Sequence, residues 1–181
     1  GKCMDIDNVI KSHSAIMDRT DPEKQIALMV DEWGAWWDEE PGTVRGHLYQ
    51  QNTMRDAFVA ALSLMVFHRH ADRVKMANIA QLANVLQAMV LTRDDKMVLT
   101  PTYHVFEMFK VHQGAFHVPM DVKTSDIVTE ENKVIQTVYA TASVNEEGVM
   151  HISLANVSLD RSYEVTIHLN GAECRDISGR I

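Results

Sequence analysis

Several features that mark large protein classes are rare or missing in this 181-residue sequence. It has only two cysteines, Cys3 and Cys174, which lie at opposite ends of the chain without the spacing of metal ligands. We therefore predict neither a disulfide framework nor a zinc site. No apolar stretch approaches the roughly 20 residues needed to span a bilayer, so we expect no membrane partner.

Positive charge is sparse as well. Lys and Arg number 17 against 25 Asp and Glu, the formal net charge is −8, and no run of basic residues stands out. Because clustered positive charge supplies most of the affinity for nucleic acids, we expect no nucleic-acid partner. The sequence also lacks a Gly-rich phosphate loop and a Ser-His-Asp order. Among nine histidines, His68 and His70 are the closest pair, but residues two apart do not share a helix face, so we predict no metal site.

The first two-thirds of the chain contains helices that alternate with short apolar runs. Apolar residues in 6–17 recur at spacings of three and four, which predicts a helix that stops at Thr20-Asp21-Pro22. Residues 25–30 and 74–80 have the composition of buried strands. Thr53 and Asp56 form a capping-box pattern before a second helix, and Thr100-Pro101 starts a third.

From about Val118 the apolar period changes to two. Residues 163–169 alternate as a half-buried strand does, and 134–144 and 149–159 flank a four-residue turn at 145–148. The fold class predicted from these patterns is α/β plus all-β. Helix-strand-helix material is followed by a small antiparallel β unit.

The segment 30–37 is the one that indicates chemistry. Adjacent carboxylates, Asp31 and Glu32, precede three tryptophans where an apolar strand ends. Side chains at the carboxyl ends of barrel strands line active sites, and aromatic planes pack against sugar rings. Neighbouring strand residues face opposite sides, so the two carboxylates are expected to differ in role. The alternative, which this pattern leaves open, is an ordinary strand-to-loop junction with a buried tryptophan.

With its Asp-Glu-Trp-Gly-x-Trp pattern, segment 30–37 resembles the nucleophile strand of the α-L-arabinofuranosidases of glycoside hydrolase family 51. Residues 70–85 resemble the last barrel strand of that family and the loop after it, and residues 100–109 resemble the helix that leads out of the barrel. These matches occur in the right order over about residues 5–117. The later β unit fits the C-terminal sandwich of the family by position and pattern. The resemblance therefore implies a partial (β/α) barrel made of the last strand-helix units, followed by a small antiparallel β-sandwich domain.

The resemblance implies roles for three residues. Glu32 would be the catalytic nucleophile, Trp36 an aromatic wall of the sugar pocket, and Gln81 a polar residue that hydrogen-bonds the sugar. Two positions depart from the common pattern: Gly34 replaces Asn, and Trp37 replaces Tyr. The implied reaction is a retaining double displacement, in which two carboxyl groups lie about 5–5.5 Å apart and no metal or organic cofactor takes part.

The acid/base residue of this family lies in an Asn-Glu pair on an earlier strand, and no such pair precedes Glu32 here. Together with the start at Gly1, this leads us to expect a piece of a longer polypeptide that is inactive alone. We predict the C-terminal part of the catalytic barrel in residues 1–117 and a β-sandwich domain in 118–181. Open strand edges predict a homo-oligomer. The compartment stays open, with the cytoplasm favoured over the periplasm or secretion.

The implied substrates are arabinan, arabinoxylan and their oligosaccharides, from which the enzyme would remove terminal non-reducing α-L-arabinofuranosyl groups. Two other interpretations remain. One is another retaining barrel glycosidase with a different sugar in its pocket. The other is a carbohydrate-binding or purely structural β module, for which Tyr139 and Tyr163 are the main aromatic candidates.

Overall fold

The computed structural model describes residues 2–130 and 132–181, so the start at Gly1 lies outside the described residues. A 3-10 turn at Lys2–Met4 leads into helix α1, Asp5–Met17. Strand β1, Leu28–Trp33, helix α2, Met54–Arg69, and strand β2, Val74–Ile79, follow. The two strands pair in parallel with α2 as the connection between them. This unit brings the carboxyl ends of β1 and β2 to one edge.

The second half begins with a hairpin of β3, Val90–Arg93, and β4, Lys96–Leu99. Helix α3, Pro101–Phe109, starts at the predicted Thr100-Pro101 and continues into a 3-10 turn at Lys110–His112. Five short strands complete the described elements: β5, Phe116–Val118; β6, Asp126–Val128; β7, Val134–Gln136; β8, Val138–Val144; and β9, Met150–Asn156. They form two antiparallel sheets, one with the order β5-β8-β9 and one that pairs β6 with β7.

A hydrophobic core connects both halves of the chain. Trp33 at the end of β1 packs edge-on against Phe67 of α2, with ring centroids 5.3 Å apart, and stacks on Phe106 of α3 at 6.0 Å. Tyr139 of β8 and Ala155 of β9 belong to the same core. The antiparallel sheet therefore packs directly on the helices.

Arg73 forms ion pairs at the amino ends of the parallel strands, opposite the edge where their carboxyl ends lie. Its guanidinium is buried and pairs with Asp18 and Asp21, and its Nη1 donates to the backbone oxygen of Ile26 at 2.9 Å. These carboxylates raise the pKa of Arg73 although burial opposes this, and the pKa of Asp21 is lowered by the Ile26 amide and by Arg73. The connection from α1 to β1 is thereby held against the start of β2.

The predicted strand 25–30 is shifted in the structure and runs from Leu28 to Trp33. The reason lies in Asp21, whose two carboxylate oxygens accept the backbone N–H groups of Gln25 and Ile26 at 3.0 and 2.8 Å. Those amides are engaged in a turn and are not available to a strand. Asp31 and Glu32 consequently lie inside β1 rather than after it.

The structure shows helices with a parallel strand pair and antiparallel sheets, but it does not confirm the partial barrel and the sandwich themselves. Within the described residues the sheet of β1 and β2 has two strands, and no barrel closes. The antiparallel sheets are present, but the predicted strand 163–169 is wrong, because that segment pairs with no described strand and leaves Val165 and Ile167 exposed. The domain division after residue 117 falls within β5 and stays a prediction. No described helix has the length and apolarity to cross a membrane.

Candidate functional site

The carboxyl ends of β1 and β2 form the edge where the predicted site residues are found. Glu32 is the next-to-last residue of β1, and its side chain is exposed, as is that of Asp31. The N–H of Ala80 donates to the oxygen of Trp33 at 2.8 Å, so the chain leaving β2 stays beside the end of β1. Gln81, the next residue, is exposed at this same edge.

The three tryptophans differ in their environment. Trp33 is buried in the core, with 5% of its surface exposed, although it also contributes to the wall of the pocket described below. Trp36 and Trp37 are exposed by 48% and 42%, respectively, immediately after the strand. The pattern therefore combines one packing residue with two aromatic side chains that are open to solvent.

Gly34 lets the chain turn out of β1 close to β2. Its φ of +152° is one that L side chains rarely adopt, and a Cβ built there would come within 3.1 Å of the oxygen of Ala80. A larger residue would be strained in this conformation and would press on the neighbouring strand end. Glycine at this position thus allows the close approach of the two chains.

Glu32 and Trp36 line one open pocket of about 300 Å³, whereas Gln81 does not. Gly34 lies between the two in sequence and lines the pocket with them. The other wall is formed by α2, the 3-10 turn and α1, through Val59, Ser63, Cys3 and Ile6. In such a cavity the aromatic face can pack against a sugar ring, and the carboxylate can act on it as a nucleophile.

The loop after Trp37 is tied to α2 and to itself. The guanidinium of Arg55 lies over the Trp37 ring at 3.8 Å, a cation–π distance. Within the loop, Oε1 of Glu39 accepts the backbone N–H groups of Gly46 and Leu48 at 2.7 and 2.9 Å. The start of this loop is therefore held against α2.

The rings of His68 and His70 contact different partners. His70 Nε2 lies 2.8 Å from Oδ1 of Asp7, whereas His68 Nδ1 lies 3.3 Å from Oγ1 of Thr141. Among the described residues no group of three or more His, Cys, Asp or Glu side chains is arranged to hold a metal ion.

A separate histidine cluster occupies the junction of the helices with the antiparallel sheet. His68, His112 and His117 line a small cavity of about 30 Å³. His112 contacts two serine hydroxyls, Ser143 at 2.7 Å and Ser153 at 2.8 Å. Burial, with the neighbouring histidines, lowers the pKa of His68 and of His112 to about 4. Both rings are therefore neutral near pH 7 and serve packing and hydrogen bonding.

Two buried glutamines contact the chain around Trp36 and escaped prediction from the sequence. Gln50 and Gln87 bond to the backbone of Ala35 from positions 15 and 52 residues away. The one signal for Gln87 is its place within the apolar stretch 85–90, where a polar residue needs a partner. Gln50 lies in a polar loop, and nothing in its neighbourhood distinguishes it.

The chain is similar in sequence to known proteins. Residues 31–181 match the sequence model of the family described as the α-L-arabinofuranosidase C-terminal domain. The chain is 56% identical over 181 residues to an intracellular exo-α-L-arabinofuranosidase of Bacteroides ovatus, with 100% of this chain and 35% of that protein covered. It is 27% identical over 195 residues to an intracellular exo-α-(1→5)-L-arabinofuranosidase of Bacillus subtilis strain 168, with coverage of 93% and 38%.

Solved structures of family 51 arabinofuranosidases are similar to this chain in fold. The crystal structure of the family 51 arabinofuranosidase from Xanthomonas axonopodis pv. citri matches with a TM-score of 0.81 and 49% identity, over 85% of this chain and 31% of that one. The thermostable family 51 α-L-arabinofuranosidase from Thermotoga petrophila RKU-1 matches with a TM-score of 0.70 at 20% identity, over 88% and 35%, which shows a shared fold alone.

The chain belongs to the α-L-arabinofuranosidase C-terminal domain family. The resemblance of its sequence to the C-terminal portion of a glycoside hydrolase family 51 arabinofuranosidase is thereby confirmed. The chain spans only 35% of the length of its Bacteroides ovatus relative.

Proposed function

We propose that this chain is the C-terminal part of a retaining α-L-arabinofuranosidase in which Glu32 is the catalytic nucleophile. The observation that carries the proposal is the pocket shared by Glu32 and Trp36 at the carboxyl end of β1. Active sites of strand-helix barrels form at that end of the strands. In this proposal residues 1–117 are the last strand-helix units of the barrel, and residues 118–181 are the β-sandwich domain that follows it.

The reaction proceeds in two displacements. The Glu32 carboxylate attacks the anomeric carbon while the glycosidic C–O bond breaks, and the leaving oxygen takes a proton from a second carboxyl group. Water, deprotonated by that second group, then breaks the ester to Glu32, and the sugar leaves with retained configuration. The second carboxyl group comes from the chain upstream of Glu32, so residues 1–181 alone would not turn over substrate at the normal rate.

Trp36 and Gln81 would bind the terminal sugar. The exposed indole of Trp36 offers an apolar plane to the C–H face of an arabinofuranosyl ring, and the exposed carboxamide of Gln81 can both donate to and accept from sugar hydroxyls. The substrates are arabinan, arabinoxylan or their oligosaccharides. Tyr139 is buried, which disfavours the alternative of a sugar-binding β module built around it.

The test is hydrolysis of p-nitrophenyl α-L-arabinofuranoside by the full-length protein that contains this segment. Glu32→Ala should lower kcat by several orders of magnitude, and azide should restore part of the rate by replacing the missing nucleophile. Asp31→Asn is the matched control, because it alters the adjacent exposed carboxylate and should retain most of the activity. A folded Glu32→Ala variant with nearly full activity would show that the assignment is wrong.

Self-association is a further part of the proposal. The apolar side chains of Met29 in β1 and Met76 in β2 are exposed, and their sheet has two strands among the residues that the structure describes. Unpaired strand edges with apolar neighbours favour pairing with another chain. We expect dimers or larger species in light scattering, and a monodisperse monomer would rule this out.

A further inference from the structure

We propose that Gln50 and Gln87 are positioning residues that set the place of the Trp36 ring in the pocket. The inference rests on the proposed function, since it takes Trp36 as the aromatic wall of the sugar site. Neither glutamine lines the pocket, and both would act through the backbone on either side of Trp36.

The two carboxamides hold the residues before and after Trp36. Gln87 Oε1 accepts the N–H of Ala35 at 3.0 Å, and Gln50 Nε2 donates to the oxygen of Ala35 at 3.0 Å. Gln50 Oε1 also accepts the N–H of Trp37 at 2.9 Å. Gln50 is 1% exposed and Gln87 is fully buried, and the two bonds to Ala35 are buried.

The glutamines are themselves fixed to rigid elements. Gln87 Nε2 donates to the backbone oxygen of Asp56 in α2 at 2.7 Å and to Oγ1 of Thr102 in α3 at 3.2 Å. The loop containing Gln50 is joined to that containing Gln87 by the N–H of Leu86, which donates to the oxygen of Leu48 at 2.8 Å. Gln87 thereby connects Ala35 to α2 and α3, so the position of Ala35 does not depend on a flexible loop alone.

A carboxamide is the group that this arrangement requires. The backbone of Ala35 offers one donor and one acceptor, and Gln50 must both donate and accept within a single side chain. Leucine at position 50 would leave the N–H of Trp37 and the buried oxygen of Ala35 without these partners. Glutamate in its ionised form would still accept from Trp37 but would set a second acceptor against the oxygen of Ala35.

The side chain of Trp36 is about half exposed, so its position depends strongly on the backbone on either side of it. The backbone clamps at Ala35 and Trp37 therefore decide where the indole stands relative to Glu32. A displacement of about 1 Å at a reacting site can cost roughly 100-fold in rate. A shift of Trp36 should raise KM more than it lowers kcat, because the ring contacts the bound sugar and not the bond that breaks.

The experiment compares Gln50→Leu, Gln87→Leu and Gln50→Glu in the full-length enzyme with p-nitrophenyl α-L-arabinofuranoside as substrate. Gln51→Leu is the matched control: Gln51 is adjacent and exposed, and its side chain makes no hydrogen bond with the described residues. We expect kcat/KM to fall by about 10- to 100-fold for both leucine variants, mainly through KM. The control should stay within about 2-fold of the wild type, since exposed substitutions away from a site change little.

A double-mutant cycle separates positioning from general destabilisation. If Gln50 acts through Trp36, Gln50→Leu should lower kcat/KM by no more than about 2-fold once Trp36→Ala is present. A full multiplicative loss in that background, or an equal loss from Gln51→Leu, would overturn the inference. If Trp36→Ala itself leaves kcat/KM unchanged, then Trp36 does not have the role given to it in the proposed function, and this inference fails with it.

Gln50→Glu supplies a second readout if the leucine variants fail to fold. A protonated carboxyl group has one acceptor oxygen and one O–H donor, as the carboxamide has one acceptor and one donor group. The KM of Gln50→Glu relative to wild type should therefore approach one as the pH is lowered and the introduced acid is protonated. A ratio that stays well above one down to the lowest pH at which the enzyme is folded would overturn the inference.

Discussion

The indole Nε1 of Trp37 donates a hydrogen bond of 2.8 Å to Oδ1 of Asp56, which joins the loop after β1 to the first turn of α2. The other oxygen of the same carboxylate, Oδ2, accepts the backbone N–H of Thr53 at 2.7 Å. Asp56 is fully buried. One side chain thus completes the capping box of α2 and holds the ring of Trp37, the residue that follows Trp36.

Replacing Asp56 with Asn should therefore weaken the helix start and the loop together. The amide keeps one acceptor but turns a donor towards either Trp37 Nε1 or the Thr53 N–H, leaving a buried donor unpaired. We expect a loss of about 1–3 kcal/mol in the free energy of unfolding, measured by urea denaturation. Asp95→Asn, at an exposed residue, is the control and should change stability by no more than about 0.5 kcal/mol. Equal effects of the two variants would contradict this role of Asp56.

The features that the sequence predicts best are those set by neighbours in the chain. Thr53 with Asp56 forms the predicted capping box, and the helix at Pro101 begins where the Thr-Pro pair places it. The turn at 145–148 connects β8 and β9 as expected, with the N–H of Gly148 donating to the oxygen of Asn145. Each of these needs only contacts within four residues.

Features that depend on distant partners were missed or misplaced. Alternation in 163–169 marks an apolar face, but a strand also requires a neighbour to pair with, and the structure provides none for it within the described residues. Burial also decides between Trp33 and Trp36, which the sequence pattern treats alike. The contacts of Gln50 and Gln87 with Ala35 join residues far apart in sequence, so only the folded chain shows them.

The junction between β1 and the helices should be the most sensitive part of the core. Phe67 is 5% exposed and meets Trp33 edge-on, so Phe67→Ala would leave a cavity and remove that aromatic contact. We expect a loss of about 3–5 kcal/mol in the free energy of unfolding. Phe116→Ala is the matched control, since Phe116 is 72% exposed on β5 and should change stability by about 0.5 kcal/mol or less. Similar losses for the two variants would be incompatible with this description of the core.

Acid should destabilise the chain through the histidine cluster. Burial lowers the pKa of His68 from 6.5 to about 4, so between these values the unfolded chain binds a proton that the folded chain does not. The free energy of unfolding therefore falls as pH drops from 6.5 towards 4, and above 6.5 this contribution is constant. Between pH 7 and pH 5, His68→Gln should lose about 2 kcal/mol less stability than the wild type.

The measurement for His68 is urea denaturation at both pH values, with His13→Gln as control. His13 is exposed on α1, so that variant should follow the wild type at pH 7 and at pH 5. His112 and His117 line the same cavity and remain in His68→Gln, so part of the acid sensitivity persists. Parallel losses in the wild type and His68→Gln would show that His68 does not contribute.

Gly34→Ala tests the turn on which the candidate site is built. The added Cβ would meet the oxygen of Ala80 at 3.1 Å in a backbone conformation with φ of +152°, so the chain after β1 must move away from β2. Strain of this kind costs about 1–3 kcal/mol, and the movement would shift Trp36, two residues on, relative to Glu32. We expect kcat/KM of the full-length enzyme on p-nitrophenyl α-L-arabinofuranoside to fall by at least about 10-fold, alongside the loss of stability in urea. Gly179→Ala is the control, because Gly179 has an ordinary φ and no atom within 4 Å of an added Cβ. Unchanged stability and activity in Gly34→Ala would mean that the close approach at Ala80 is not required.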